Sequence, residues 1–174
     1  MTKIILGYLH SGEKVYDRSP SHIHESAAPY VQEALLKVNS ESREKFDAVV
    51  DFGKVIGISN LVVTTEKDDI VFAQRVNRDG LSRLVKNRKG EPTTTLLIGL
   101  KKAEDDPDAY IVATSFIGLP SKNEPWDTKT AEERKESCAF WNKRAIIYGT
   151  EPLVPGTETT KYPWGGYCGK LTGC

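Results

Sequence analysis

Apolar residues recur with helical spacing near the N-terminus and with strand spacing through most of the remaining chain. Residues 3–9 (KIILGYL) read as a strand weakened by Gly7, because glycine has no side chain to pack on a pleated surface. A polar connection over 10–25 holds all three histidines, His10, His22 and His24. Ala28, Val31, Leu35 and Val38 then fall at i, i+3, i+7 and i+10, so one apolar stripe is expected on a helix over 27–38. Ser26 suits its N-cap, and Pro29 is tolerated in a first turn whose N–H groups have no helical partner. Ser40 offers a cap for a short second helix through Phe46.

From residue 47 the period shortens. Residues 47–52, 60–65 and 70–76 are β-branched runs divided by Gly53, Gly57 and a charged turn at 66–69. A connection of 16 residues, 77–92, leads to the two clearest strands, 93–100 and 110–117, which the acidic turn 103–108 joins as a hairpin. Thr94, Leu96, Ile98 and Leu100 alternate onto one face, which predicts a half-solvated antiparallel sheet. Thr130 and Glu133 match a capping box and predict a helix over 131–143 with Cys138 and Trp141 facing inward. Residues 145–148 make a last strand, and Pro, Gly and Thr dominate beyond 151. The expected fold class is α+β: N-terminal helices packed on a twisted antiparallel sheet, with one C-terminal helix after the main hairpin. Residues 1–150 are expected to form one domain, and 151–174 a Pro/Gly/Thr-rich tail.

Composition narrows the class. A chain of 174 residues with 39% hydrophobic and 28% charged residues suits a soluble globule rather than a disordered chain. No apolar run approaches the ~20 residues that span a bilayer, so no membrane partner is expected. Three cysteines, Cys138, Cys168 and Cys174, without a CxxC pair argue against a disulfide framework or a zinc site and for a reducing cytoplasm. Cys138 reads as an inert core thiol.

Charge singles out one segment. The chain is neutral overall, yet residues 75–102 carry eight basic and two acidic side chains, and the 34 residues after them are net acidic. Arginine presents a planar fork that matches phosphate oxygens and does not lose its charge. Arg75 and Arg83 are therefore candidate phosphate ligands in a catalytic site, with Thr95 and Ser115 as hydroxyls that position a 2′-OH. Arg78, Lys86, Arg88 and Lys89 extend the strip as candidate nucleic-acid contacts. Histidine is the usual acid/base of RNA cleavage, but all three precede residue 25 and reach the strip only if that segment folds across the sheet. His22 and His24 lack companions with ligand spacing, so no metal and no cofactor are expected. P-loop, dinucleotide and nucleophile-elbow motifs do not occur.

The run DIVFAQRVNRDGLSRLVKNR, the strand TTTLLIGL, AYIVATSFIG, PWD and the helix ending FWNKRAIIYG resemble a set of uncharacterised bacterial and phage-associated proteins. These are similar to the barnase–EndoU–colicin–RelE-like group of small nucleases, and the resemblance covers residues of about 69–148. It implies a helical N-terminal part, then a four-stranded antiparallel sheet whose face holds RNA. Many members place a histidine on or near that sheet. This chain has none after His24, so the resemblance implies a site of arginine, lysine and hydroxyl groups. The resulting expectation is an RNA-binding protein, and a small metal-independent endoribonuclease of toxin or phage type. The alternative is a non-catalytic binding or assembly module of a mobile element with a protein partner.

Overall fold

A computed structural model describes residues 4–17 and 23–169. It corrects the fold class. The chain is mostly β, with 40% strand, 16% helix and three sheets, not helices layered on one antiparallel sheet. The expected N-terminal helices account for most of the difference. A 3₁₀ turn at Ala28–Tyr30, carrying Pro29, precedes only one short α-helix, α1 (Val31–Leu35). Ser26 does not cap it; its hydroxyl lies 2.7 Å from His24 Nδ1 instead. The second expected helix is absent, because Glu41 and Ser42 take positive φ values of 51° and 58°, which a right-handed helix cannot contain. Of the expected stripe Val31, Leu35 and Val38 are buried, but Ala28 is exposed, and Ala27 and Ala34 are buried instead.

The chain divides into two compact units, Met1–Ser59 with Pro92–Pro120, and Asn60–Glu91 with Ser121–Cys174. Unit 1 is built on five strands in the order β1 (Ile4–Tyr8), β2 (Lys14–Asp17), β10 (Asp106–Ile117), β9 (Thr95–Ala103), β3 (Lys45–Asp51). The expected hairpin is present as the antiparallel pair of β9 and β10. Leu96, Ile98 and Leu100 face the core with Phe46, Val50, Tyr110 and Val112, as the alternation predicted, but Leu97 on the opposite face is buried too, so the sheet is not half-solvated there. The Tyr110 hydroxyl donates to the Arg43 carbonyl at 2.7 Å, so this buried aromatic keeps its polar end satisfied. Two short strands, β4 (Gly57–Ser59) and β8 (Glu91–Thr93), pair separately.

Unit 2 is built on β5 (Leu61–Val63), β11 (Arg144–Ile147), β7 (Leu81–Val85) and β6 (Ile70–Gln74), in that order. The sheet is four-stranded but mixed, since β11 runs parallel to β7. β7 lies inside the stretch 77–92 that the sequence suggested was all connection. Helix α2 (Ala131–Trp141) starts on the predicted box: Glu133 N–H donates to Thr130 Oγ1 at 3.1 Å. The Glu133 carboxylate reaches back one residue further than expected, to the Lys129 N–H.

Residues 151–169 are well tied to unit 2. Backbone bonds join Val76 to Pro152, Val154 to Gln74, and Phe72 with Thr159 in both directions, so the segment lies along the outer edge of β6. It continues through Tyr162 and Trp164 into α3 (Gly165–Cys168). Trp164 is 1% exposed, stands edge-on to Phe72 and Tyr162, and donates its Nε1 proton to the Leu81 carbonyl. Trp126 donates to that same carbonyl. Cys168 is bonded to Cys138 of α2, which corrects the reading of both as free thiols. Sequence spacing could not reveal the bridge, because its Cα–Cα distance of 5.6 Å is set by the docking of α3 on α2. Among the described residues no helix is long and apolar enough to cross a membrane.

Candidate functional site

The basic segment folds as a hairpin rather than a loose loop. β6 ends at Gln74, and the chain turns through residues 75–80 into β7, with Arg78 N–H donating to the Arg75 carbonyl. Asn77 sits at φ 66°, a left-handed position that asparagine tolerates better than most side chains. The Gln74 side chain closes the turn by donating to the Arg78 carbonyl at 2.6 Å.

Arg75 is fixed through every guanidinium nitrogen. Nε donates to Ser82 Oγ (2.9 Å), Nη1 to Glu151 Oε2 (2.7 Å) and Nη2 to Glu124 Oε2 (3.2 Å). Burial works against its charge, but the hydrogen bond it donates to Glu151 and the two nearby carboxylates outweigh it and raise its pKa. Glu124 is only 5% exposed, and its Oε1 has no well-formed hydrogen bond among the described residues. Burial pushes its carboxyl above the usual range, although Ser82 and Arg75 pull the other way. Glu151 lies opposite it on the guanidinium and is 47% exposed.

A cleft of about 270 Å³ opens beside this cluster, lined by Arg75, Val76, Asn77, Arg78, Glu151 and Pro152. Arg78 is exposed there, and no ion pair to it is formed among the described residues. The cleft thus offers one anchored cation, one exposed cation and one carboxylate on its wall. Glu124 stands behind Arg75 and orients it.

The other expected site residues are distributed differently. Arg83 donates to Thr64 Oγ1 and to the Arg144 carbonyl. Ser82 and Arg83 are neighbours on β7, so their side chains leave opposite faces of the sheet; Arg75 goes with Ser82, and Arg83 is turned away from it. Thr95 and Ser115 belong to unit 1. Thr95 pairs its hydroxyl with Thr93, while Ser115 is buried and donates to the Leu97 carbonyl, where no substrate can meet it. The four residues expected to form one catalytic site are therefore not assembled as such.

Lys86 pairs with Glu158 at 2.5 Å and lies over the Tyr148 ring, whose hydroxyl also donates to Glu158. The hydrogen bond to Lys86 comes first among the causes that lower the Glu158 pKa. Arg88 pairs with Asp68 and Glu91 and donates to the Val63 carbonyl. Lys89 is exposed. Of the histidines, His22 lies outside the described residues. His10 is exposed, and His24 does reach the five-stranded sheet, its N–H donating to the Ser115 carbonyl at 2.8 Å. Among the described residues no group of three or more His, Cys, Asp or Glu could hold a metal.

Sequence reasoning missed Glu124, Glu151, Glu158 and Ser82. The three acids come from 49, 76 and 72 residues beyond their cationic partners. The one advance signal was global: a neutral chain with a concentrated positive segment must hold its compensating acids elsewhere. No family model matches the chain, and no curated protein and no solved structure gives a significant match.

Proposed function

We propose that this protein binds RNA, with the Arg75–Arg78 cleft of unit 2 taking a backbone phosphate. The observation that carries the reading is the pairing of an anchored guanidinium with an exposed one on a single cleft of about 270 Å³. That space admits a phosphate or sugar-phosphate. Preorganised arginine forks favour phosphate because less side-chain freedom is lost for each bond formed.

A second reading, metal-independent cleavage, is favoured by Glu151. It is the carboxylate on the cleft wall, beside the cation that would bear the phosphate, where it could take a proton from a 2′-OH. The alternative of a non-catalytic binding module uses the same cleft without that step. RNA is met in the cytoplasm, the proposed place of action. The Cys138–Cys168 bridge belongs to oxidising surroundings, so the chain on this reading passes between the two.

The test incubates purified protein with single-stranded RNA across a salt series, with chelator present, beside Arg78→Ala. Phosphate binding gives an affinity that falls steeply with salt, and loss of one contact reduces the slope of log K on log salt by about 0.7 to 1. Salt-independent binding, or an unchanged slope in the variant, rejects the cleft as the phosphate site.

A further inference from the structure

The acids that neutralise two of the basic residues share one segment of chain. Glu151 holds Arg75, and Glu158 holds Lys86 together with Tyr148. Between and beside them, residues 152–159 are bonded to the free edge of β6. The segment is secured at both ends. At residues 145–150 it leaves β11, and at Cys168 it is bonded to α2. With that bond closed, the segment can leave β6 only as a loop tethered at both ends. With the bond open, residues 151–168 are held by the β6 seam, the two ion pairs and the docking of Trp164, without a covalent tie to α2.

We propose that residues 151–168 are an autoinhibitory strap over the basic hairpin, and that reduction of Cys138–Cys168 by a small thiol releases it. This rests on the reading that the cleft binds phosphate, since the strap's carboxylates occupy the sites a phosphate chain would take.

The chemistry balances as thiol–disulfide exchange. Cys138 is 8% exposed and Cys168 more open, so an external thiolate attacks Cys168 Sγ. The S–S electron pair departs on Cys138 Sγ, which takes up a proton. A second external thiol releases Cys168 as its thiol and leaves as the external disulfide, so two electrons and two protons pass to the protein.

In the loop-entropy model a cross-link at a sequence separation of 30 restricts the unfolded chain by a factor on the order of 10² to 10³, which bounds from above the freedom that reduction gives the arm. The amides of Phe72, Val76, Val154 and Thr159 report opening directly, because each is a donor across the strap–β6 seam. Hydrogen exchange at these four is measured in the oxidised protein, the reduced protein and Cys138→Ala/Cys168→Ala. The β7 amides serve as the control for global unfolding. In parallel, affinity for a 20-nucleotide uridine oligomer is measured in each form and in Glu151→Gln/Glu158→Gln.

At least tenfold faster exchange at the seam with β7 still protected, and at least tenfold tighter oligomer binding in the reduced and glutamine forms, are the expected results. Unchanged seam exchange on reduction overturns the strap. Faster exchange with no oligomer binding in any form upholds the strap and rejects the phosphate reading. Equal binding in all forms upholds the phosphate reading and rejects autoinhibition.

Discussion

Replacing both bridged cysteines by alanine should destabilise unit 2 selectively. The bridge joins residues 30 apart, and closing such a loop in the unfolded chain is worth about 3 to 4 kcal/mol at 25 °C. Alanine at Cys138 avoids burying an unpaired hydroxyl, which would add its own cost. All three tryptophans of the chain, Trp126, Trp141 and Trp164, lie in unit 2, so their fluorescence reports that unit without interference from unit 1. With a urea slope of about 1 to 3 kcal/mol per molar, the fluorescence midpoint should fall by about 1 to 4 M. Wild-type protein in excess dithiothreitol should show the same fall. A midpoint unmoved by the double substitution would rule out a stabilising bridge. It would mean either that the two thiols do not pair in solution or that the segment holds equally well without them.

Three further outcomes are expected. Gly80→Ala would place a Cβ 2.3 Å from the Trp126 ring, whose indole must then abandon its bond to Leu81; overpacking of this kind costs about 1 to 3 kcal/mol, read as a lower melting temperature. Glu124 has its folded pKa raised by burial, so the folded state binds its proton more tightly than the unfolded one. Its contribution to stability is greatest below the ordinary carboxylate value and declines as pH rises through the folded value. Glu124→Gln should flatten that decline in melting temperature against pH, and an unaltered profile would show the carboxyl does not titrate there. Glu158 has the opposite sign, lowered first by its bond to Lys86. Its contribution holds above the ordinary carboxylate range and is lost as pH falls through the folded value, so seam amides such as Thr159 should exchange faster there, after correction for intrinsic rates, and not in Glu158→Gln.

Period-2 patterns that faced a single core were legible. Leu96, Ile98 and Leu100 needed only alternation to be placed, and Thr130 with Glu133 needed only local chemistry. β7 was hidden because its sequence, LSRLV, puts a serine and an arginine in the middle of a strand. Both are satisfied inside unit 2, Ser82 by Arg75 and Arg83 by Thr64 and the Arg144 carbonyl, and those partners lie 7, 19 and 61 residues away. The N-terminal helix failed for a different reason. Its apolar stripe is real, but Pro29 leads into a 3₁₀ turn, and the two left-handed residues Glu41 and Ser42 end helical geometry before Phe46. Burial spacing fixed which side chains point inward without fixing the backbone that carries them.

The neutral net charge takes on a different meaning once partners are assigned. Read along the sequence, a segment of net +6 suggests a surface waiting for phosphate. In the folded chain Arg75, Lys86 and Arg88 each face at least one carboxylate, and Arg83 is spent on a hydroxyl and a carbonyl. A phosphate chain arriving at this hairpin must displace carboxylates rather than water, and exposed pairs such as Lys86–Glu158 are the cheapest to break. Glu124 is not among those that can yield, since leaving Arg75 would strand a carboxyl that is already buried. Anion binding by Arg75 and Lys86, as opposed to the exposed Arg78, therefore depends on whether Glu151 and Glu158 can be moved. Both sit on the segment that the Cys138–Cys168 bond ties covalently to α2.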